Sequence, residues 1–279
     1  GFYNIQGTNN TYIGDRAGTG ASSQNNSNNT AVGKDAMLSV TTGASNVAIG
    51  RDCADALTDG GNNVFIGENA ASATQSVSNA VFIGNNSGTS GVTTTGANGT
   101  VAIGAGSLQA LTSGARNLAI GYLAAQDMTV GDDNIAIGYL ALNGATTSAN
   151  LDKNVAIGNY SMDAVGSSSC NNNTAVGYAT LSAMNHNDGD GNTAIGCNAG
   201  DALTSGANNT LIGSSAGDSV ATNTRNVIIG ALSDPSANNT ANEICIGYDC
   251  QGIGANYAVI GDGNIERLYA ADDVGATLY

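Results

Sequence analysis

A five-residue motif ending in a β-branched residue and glycine recurs fifteen times, at a base period of 17 residues. It reads Asn-Thr-Tyr-Ile-Gly from Asn10 to Gly14, Asn-Val-Ala-Ile-Gly from Asn46 to Gly50 and Asn-Thr-Ala-Ile-Gly from Asn192 to Gly196. Between Gly14 and Gly261 the motif glycines are separated by 19, 17, 17, 17, 20, 17, 17, 20, 19, 19, 17, 17, 17 and 14 residues. The helix-pair repeats need more than about 30 residues, so a period this short fits one coil of a β-solenoid instead. Stacked at strand spacing, fifteen coils make a rod roughly 70 Å long.

Three columns emerge when the copies are aligned. The residue before each motif glycine is Ile13, Val32, Ile49, Ile66, Ile83, Ile103, Ile120, Ile137, Ile157, Val176, Ile195, Ile212, Ile229, Ile246 or Ile260. A branched side chain at every copy is what a stacked ladder requires, and these fifteen are expected to form the structural core ladder. The third residue after the glycine is small in nearly every copy, from Ala17, Ala36 and Cys53 through Ser161 and Thr180 to Cys250, with Asn264 the exception. That column reads as a narrow interior slot. Asn opens eleven of the fifteen copies, and stacked Asn side chains can bond to one another along the axis at a turn.

Alternation within the strand points to more than one chain. Side chains one residue apart face opposite ways. The residue before the ladder residue is Ala48, Phe65, Phe82, Ala102, Ala119 and so on, uncharged throughout. Both faces are thus apolar, as in strands buried on both sides. A thin coil has one inside, so the second face predicts contact with further copies of the chain, the mostly Ala side allowing close approach around a symmetry axis.

Composition narrows the function classes. The formal charge is -15, with only 7 basic residues. That argues against nucleic acid and anionic membrane surfaces as partners. No apolar run approaches the roughly 20 residues of a membrane span. The five cysteines lack C-x-x-C spacing, which predicts neither a disulfide framework nor a zinc site. Cys53 and Cys250 are expected to sit in the narrow slot as small buried hydrophobes. No G-x-S-x-G, H-E-x-x-H or P-loop occurs, and His186 is the only histidine.

With its trailing small residues and T-S-G or T-T-G turns, the motif resembles the repeats of trimeric autotransporter adhesin heads, which form left-handed β-rolls of shorter coils. The 17-residue form, as in Asn29 to Ser45, resembles more closely the repeats of bacteriophage tail fibres and related bacterial fibre proteins. The resemblance covers about residues 10 to 265. The stretch Ile260 to Ala270 followed by Gly275 to Tyr279 is similar to the segment that precedes the self-cleaving intramolecular chaperone of many tail fibres. On that resemblance Tyr279 would be a mature end left by cleavage.

The expected architecture is therefore all-β: a repetitive β-solenoid or β-roll of about fifteen coils, assembled as a parallel homotrimeric fibre. Residues 1–265 form the shaft and 266–279 a C-terminal extension. The expected role is a structural and adhesive fibre segment, viral or bacterial, extracellular and without catalytic residues or cofactor. Its partners would be itself and a host cell-surface glycan or envelope protein. The alternatives are a solenoid tailspike that cleaves polysaccharide, which needs paired carboxylates, and an ice-binding solenoid, which needs a regular Thr array.

Candidate recognition residues are few. Tyr122, Tyr139 and Tyr178 directly follow motif glycines, and either stack as a structural ladder or offer rings to sugars. Three consecutive lengthened coils put Asp152, Lys153 and His186 in or beside long loops, where binding residues concentrate. Asp188, Asp190 and Asn192 supply oxygens in one turn and are weak metal candidates.

Overall fold

Every copy of the motif folds into one three-residue strand, and the strands stack in chain order. A computed structural model describes residues 3–20, 25–89, 95–144, 151–166, 170–186, 188–219, 221–262 and 264–265. The strands are β1 (Thr11–Ile13), β2 (Thr30–Val32), β3 (Val47–Ile49), β4 (Val64–Ile66), β5 (Val81–Ile83), β6 (Val101–Ile103), β7 (Leu118–Ile120) and β8 (Ile135–Ile137). They continue as β9 (Val155–Ile157), β10 (Thr174–Val176), β11 (Thr193–Ile195), β12 (Thr210–Ile212), β13 (Val227–Ile229), β14 (Ile244–Ile246) and β15 (Ala258–Ile260). All fifteen belong to one parallel sheet in the order β1 to β15, with equivalent residues in register, as Ile137 is with Ile157. The protein is a parallel β-solenoid. The added residues of the lengthened coils fall largely on 21–24, 90–94, 145–150, 167–169 and 187, which lie outside the described residues, as does the extension 266–279.

The faces of the strand are the reverse of the expectation. The middle residue points into the coil: Ala48, Phe65, Phe82, Ala102, Ala156 and Ile228 are wholly buried. The ladder Ile13, Val32, Ile49, Ile66, Ile83, Ile103, Ile120, Ile137, Ile157, Val176, Ile195, Ile212, Ile229, Ile246 and Ile260 points outward instead, half-buried at most positions and exposed at Ile13, Ile49, Ile195, Ile246 and Ile260. The reason is room. A 17-residue coil is too narrow for a continuous row of isoleucines beside the other inward side chains, and a row dominated by Ala fits.

The core fills by complementary volumes in most coils, though those of β3, β7 and β11 set Ala48, Ala119 and Ala194 against Ala54, Ala125 and Gly200. The fourth residue after the motif glycine also points inward. Where the strand contributes Ala31, Ala102, Ala136 or Ala156, that residue is Met37, Leu108, Leu142 or Met162. Where it contributes Phe65 or Phe82, whose ring centroids lie 5.5 Å apart, the residue is Ala71 or Gly88. A Cβ on Gly88 would lie 2.7 Å from the Phe82 ring. Large against small keeps the coil closely packed without widening it. The narrow slot behaves as expected, with Ala36, Cys53, Ser107, Ser161 and Cys250 all fully buried.

Two devices hold successive coils together. At the motif glycines, backbone lies on backbone: Gly138 has φ +136°, and a Cβ there would sit 2.6 Å from the carbonyl of Gly158. At the opening asparagines, buried amides chain along the axis. The Asn154 backbone N–H donates to Asn134 Oδ1 at 3.0 Å, its Nδ2 donates to the Cys170 carbonyl at 2.8 Å, and its Oδ1 accepts the Asn173 N–H at 3.0 Å. The ladder is broken only where Ala80 and Thr100 replace Asn, until Glu243 takes its place in the coil of β14.

Candidate functional site

The most differentiated surface is the outward strand face and its two margins. Its centre is the double column of Ile/Val ladder residues and the residues two positions earlier, Val47, Val64, Val81, Ile135 and Val155 among them, with Thr at β1, β2, β10, β11 and β12. One margin is the residue just before each motif. The other is the pair of residues just after each motif glycine.

Tyrosines occupy the second margin over four consecutive coils. Tyr122 and Tyr139 stack with ring planes 3° apart and centroids at 5.8 Å. Tyr160 meets Tyr139 edge-on at 84° and 5.1 Å, and Tyr178 at 76° and 5.6 Å. Tyr160 escaped the sequence reading because it stands two residues after its glycine, in a left-handed conformation at φ 60°, and not one. Its hydroxyl is pushed up, first by desolvation and then by the neighbouring Tyr139 and Tyr178. Tyr122 and Tyr139 turn one face to each other, and Tyr122 and Tyr178 keep more than half of their surface exposed.

Charges occupy the same margin in the first coils and the opposite margin in later ones. Arg16 pairs with Asp35 at 2.6 Å, and Arg51 with Glu68 in the next coil. On the other margin Arg116 pairs with Asp133 at 2.6 Å. The hydrogen bonds from Arg16 and Arg116 hold the Asp35 and Asp133 carboxyls below the usual carboxylate range. Each bridge runs along the axis within one chain.

The remaining candidates do not converge on one site. Asp152 and Lys153 precede their strand while the tyrosines follow theirs. Asp152 Oδ1 accepts the Asp132 N–H at 2.8 Å, continuing a polar row along the axis. His186 lies in an exposed turn, with Nδ1 3.4 Å from Asp188. The metal candidates are drawn apart: Asn192 is buried in the amide ladder, donating to Asn173 Oδ1 and the Gly206 carbonyl, and Asp190 accepts the Asn171 N–H. Among the described residues no cluster of three or more metal-ligating side chains occurs, and no helix is long and apolar enough to cross a membrane.

Cysteine chemistry corrects a second expectation. Cys245, the inward residue of β14, and Cys250, in the slot of the same coil, form a disulfide. Aligned columns alone do not reveal it, because alternation does not show that the Cys245 column and the slot face one interior. Cys53 and Cys170 are buried thiols, pushed by desolvation up to about 12 and about 11.

Glu243 lies in the same coil, buried in place of the ladder Asn. Its carboxylate accepts the Ser236 N–H at 3.0 Å and the Gly254 N–H at 2.7 Å. Burial alone pushes this carboxyl up, but hydrogen bonds from Ser236, Thr240 and Gly254 together hold it below its ordinary 4.5. Its contribution to stability is therefore complete above 4.5 and is lost as pH falls through the lower native value. Unfolding near the C-terminal coils is expected to become easier in acid. Glu243→Gln should be less stable at neutral pH, yet lose less stability than the native chain between pH 7 and about pH 3, as read from urea midpoints.

In comparisons with known proteins, no family model matches the sequence and no curated protein is significantly similar to it.

Proposed function

We propose that the chain is the shaft of an extracellular homotrimeric fibre, viral tail fibre or bacterial surface adhesin, that contacts a host cell surface without catalysis. The outward Ile/Val stripe carries this reading. It runs the length of the rod, roughly 70 Å by 7 Å in plan, on the order of 500 Å². That area matches the largest apolar patch of a typical monomer, often itself functional, so it is the stripe's continuity along the whole rod that points to a partner. A closed cyclic arrangement of parallel copies would cover it along its whole length. The Cys245–Cys250 disulfide suits an oxidising, extracellular setting. The charge of -15 suits a soluble fibre that avoids nucleic acid and anionic membrane.

Receptor contact is assigned to the lengthened coils between β8 and β11, near Asp152 and His186, because residues added to a rigid scaffold are where binding concentrates. A cell-surface glycan or envelope protein is the proposed target. The outward threonines at β1, β2 and β10 to β12 favour a second reading, ice binding. Aliphatic residues interrupt that array at β3 to β9, and measurable thermal hysteresis would be needed to revive it.

Native mass tests the assembly. The chain is expected at three times its monomer mass, and Ile137→Lys, which puts a charge in mid-stripe, should yield folded monomer with unchanged circular dichroism. A native chain that runs as monomer overturns the fibre reading.

A further inference from the structure

The six basic residues of the described chain, Arg16, Lys34, Arg51, Arg116, Lys153 and Arg225, all lie on the two margins of the outward stripe. No coil is charged on both. In the coils of β1 to β4 the charges follow the strand, from Asp15 to Glu68, and the preceding margin is neutral: Asn9, Asn28, Ser45 and Asn62. In the coils of β7 to β9 the pattern inverts. Arg116, Asp133 and Lys153 precede the strand, and tyrosines follow it.

Folding of one chain does not account for this exclusion, because the two margins are separated by the strand itself. Cyclic assembly does. If copies meet through the stripe, as proposed above, each contact is heterologous: the preceding margin of one copy meets the following margin of the next, coil against coil. The observed pattern then sets every charged margin against an uncharged one.

One coil is built further. Tyr160 is perpendicular to both its ladder neighbours, so its face turns out of the direction along which Tyr122 and Tyr139 stack. Lys153 is the exposed margin residue of that same coil. We propose that the face of Tyr160 seats the Lys153 ammonium of a second, parallel copy of this chain, with Tyr139 and Tyr178 framing the ring edge-on. A cation over a tyrosine face is attractive, and more so when assembly excludes water. Arg116, already neutralised along the axis by Asp133, would lie against Tyr122 and Tyr139 in the coils below without needing a charge from the neighbouring copy.

The test is cross-linking at this pair, on a Cys197→Ser background that removes the exposed native thiol. With a short bis-maleimide, the double variant Lys153→Cys/Tyr160→Cys is expected to give covalent dimers and trimers on a denaturing gel, and neither single variant should. Independently, Lys153→Met should lower the denaturant midpoint for subunit dissociation. Lys153→Met in a Tyr160→Leu chain should lower it no further. A chain of trimeric native mass that gives no such bands, with additive midpoints, overturns the seat and leaves the fibre reading standing. A monomeric native mass overturns both.

Discussion

Gly138→Ala is expected to destabilise the rod by about 4 kcal/mol or more, a loss concentrated at the junction of β8 and β9. Two effects combine. The backbone at φ +136° is one that side chains rarely adopt, and the new Cβ would lie 2.6 Å from the Gly158 carbonyl. That neighbour is backbone in the adjoining coil, so it cannot swing aside, and the coils must part. Gly254→Ala separates the two effects. Its φ is +139°, but the nearest atom to a Cβ there is Tyr257 Cδ2 at 3.5 Å, an ordinary contact. It should therefore cost only the conformational strain, roughly 1–3 kcal/mol. Denaturant midpoints of both variants decide the matter. Equal losses would mean that the close approach of the coils contributes nothing.

Asn154→Ala is expected to cost about 3 kcal/mol. The amide is fully buried and serves three partners. Its removal leaves the Asn173 N–H without the Oδ1 that accepts it at 3.0 Å, and takes from the Cys170 carbonyl its 2.8 Å donor. Buried groups stripped of partners cost more than the bonds contributed. Asn154→Asp should be no milder at neutral pH. It keeps an acceptor for Asn173 but presents a charge to Asn134 Oδ1 and the Cys170 carbonyl, two oxygens with nothing to donate. Hydrogen exchange at the Asn173 amide gives a local readout. If that amide exchanges as slowly in Asn154→Ala as in the native chain, the ladder is not what protects it.

Much of this architecture is legible in the repeat, because a solenoid coil reports on itself fifteen times. Strand positions, the narrow slot and the Asn column all follow from which residue types recur at a fixed offset. Alternation also separates Ala48 from Ile49, but it cannot say which of them points inward. That is decided by how the chain bends after the glycine. The bend uses left-handed residues that no propensity rule anticipates, such as Leu140 and Leu142 at φ 54° and 53°. The usual sign of such a conformation is Gly or Asn. Here axial hydrogen bonds hold it, as from the Leu142 N–H to the Ser161 carbonyl at 2.9 Å. A clue did exist in Phe65 and Phe82, matched by Ala71 and Gly88, but it is readable only once both columns are known to share one interior. The candidate recognition residues were the least legible. Tyr160 joins the tyrosine ladder from a different offset, and Lys153 and His186 lie beside insertions whose lengths differ from coil to coil.

The amide ladder has a mechanical consequence. The bonds between coils point along the rod, so tension on the rod loads the coil junctions in series, while the bonds within each junction share the load in parallel. A rod loaded in this way yields first where the fewest bonds share the force. The ladder places that point at the coils of β5 and β6, where Ala80 and Thr100 interrupt the asparagines. A rod pulled from both ends would extend there first, while the unbroken run of amides from Asn117 to Asn226 stayed folded.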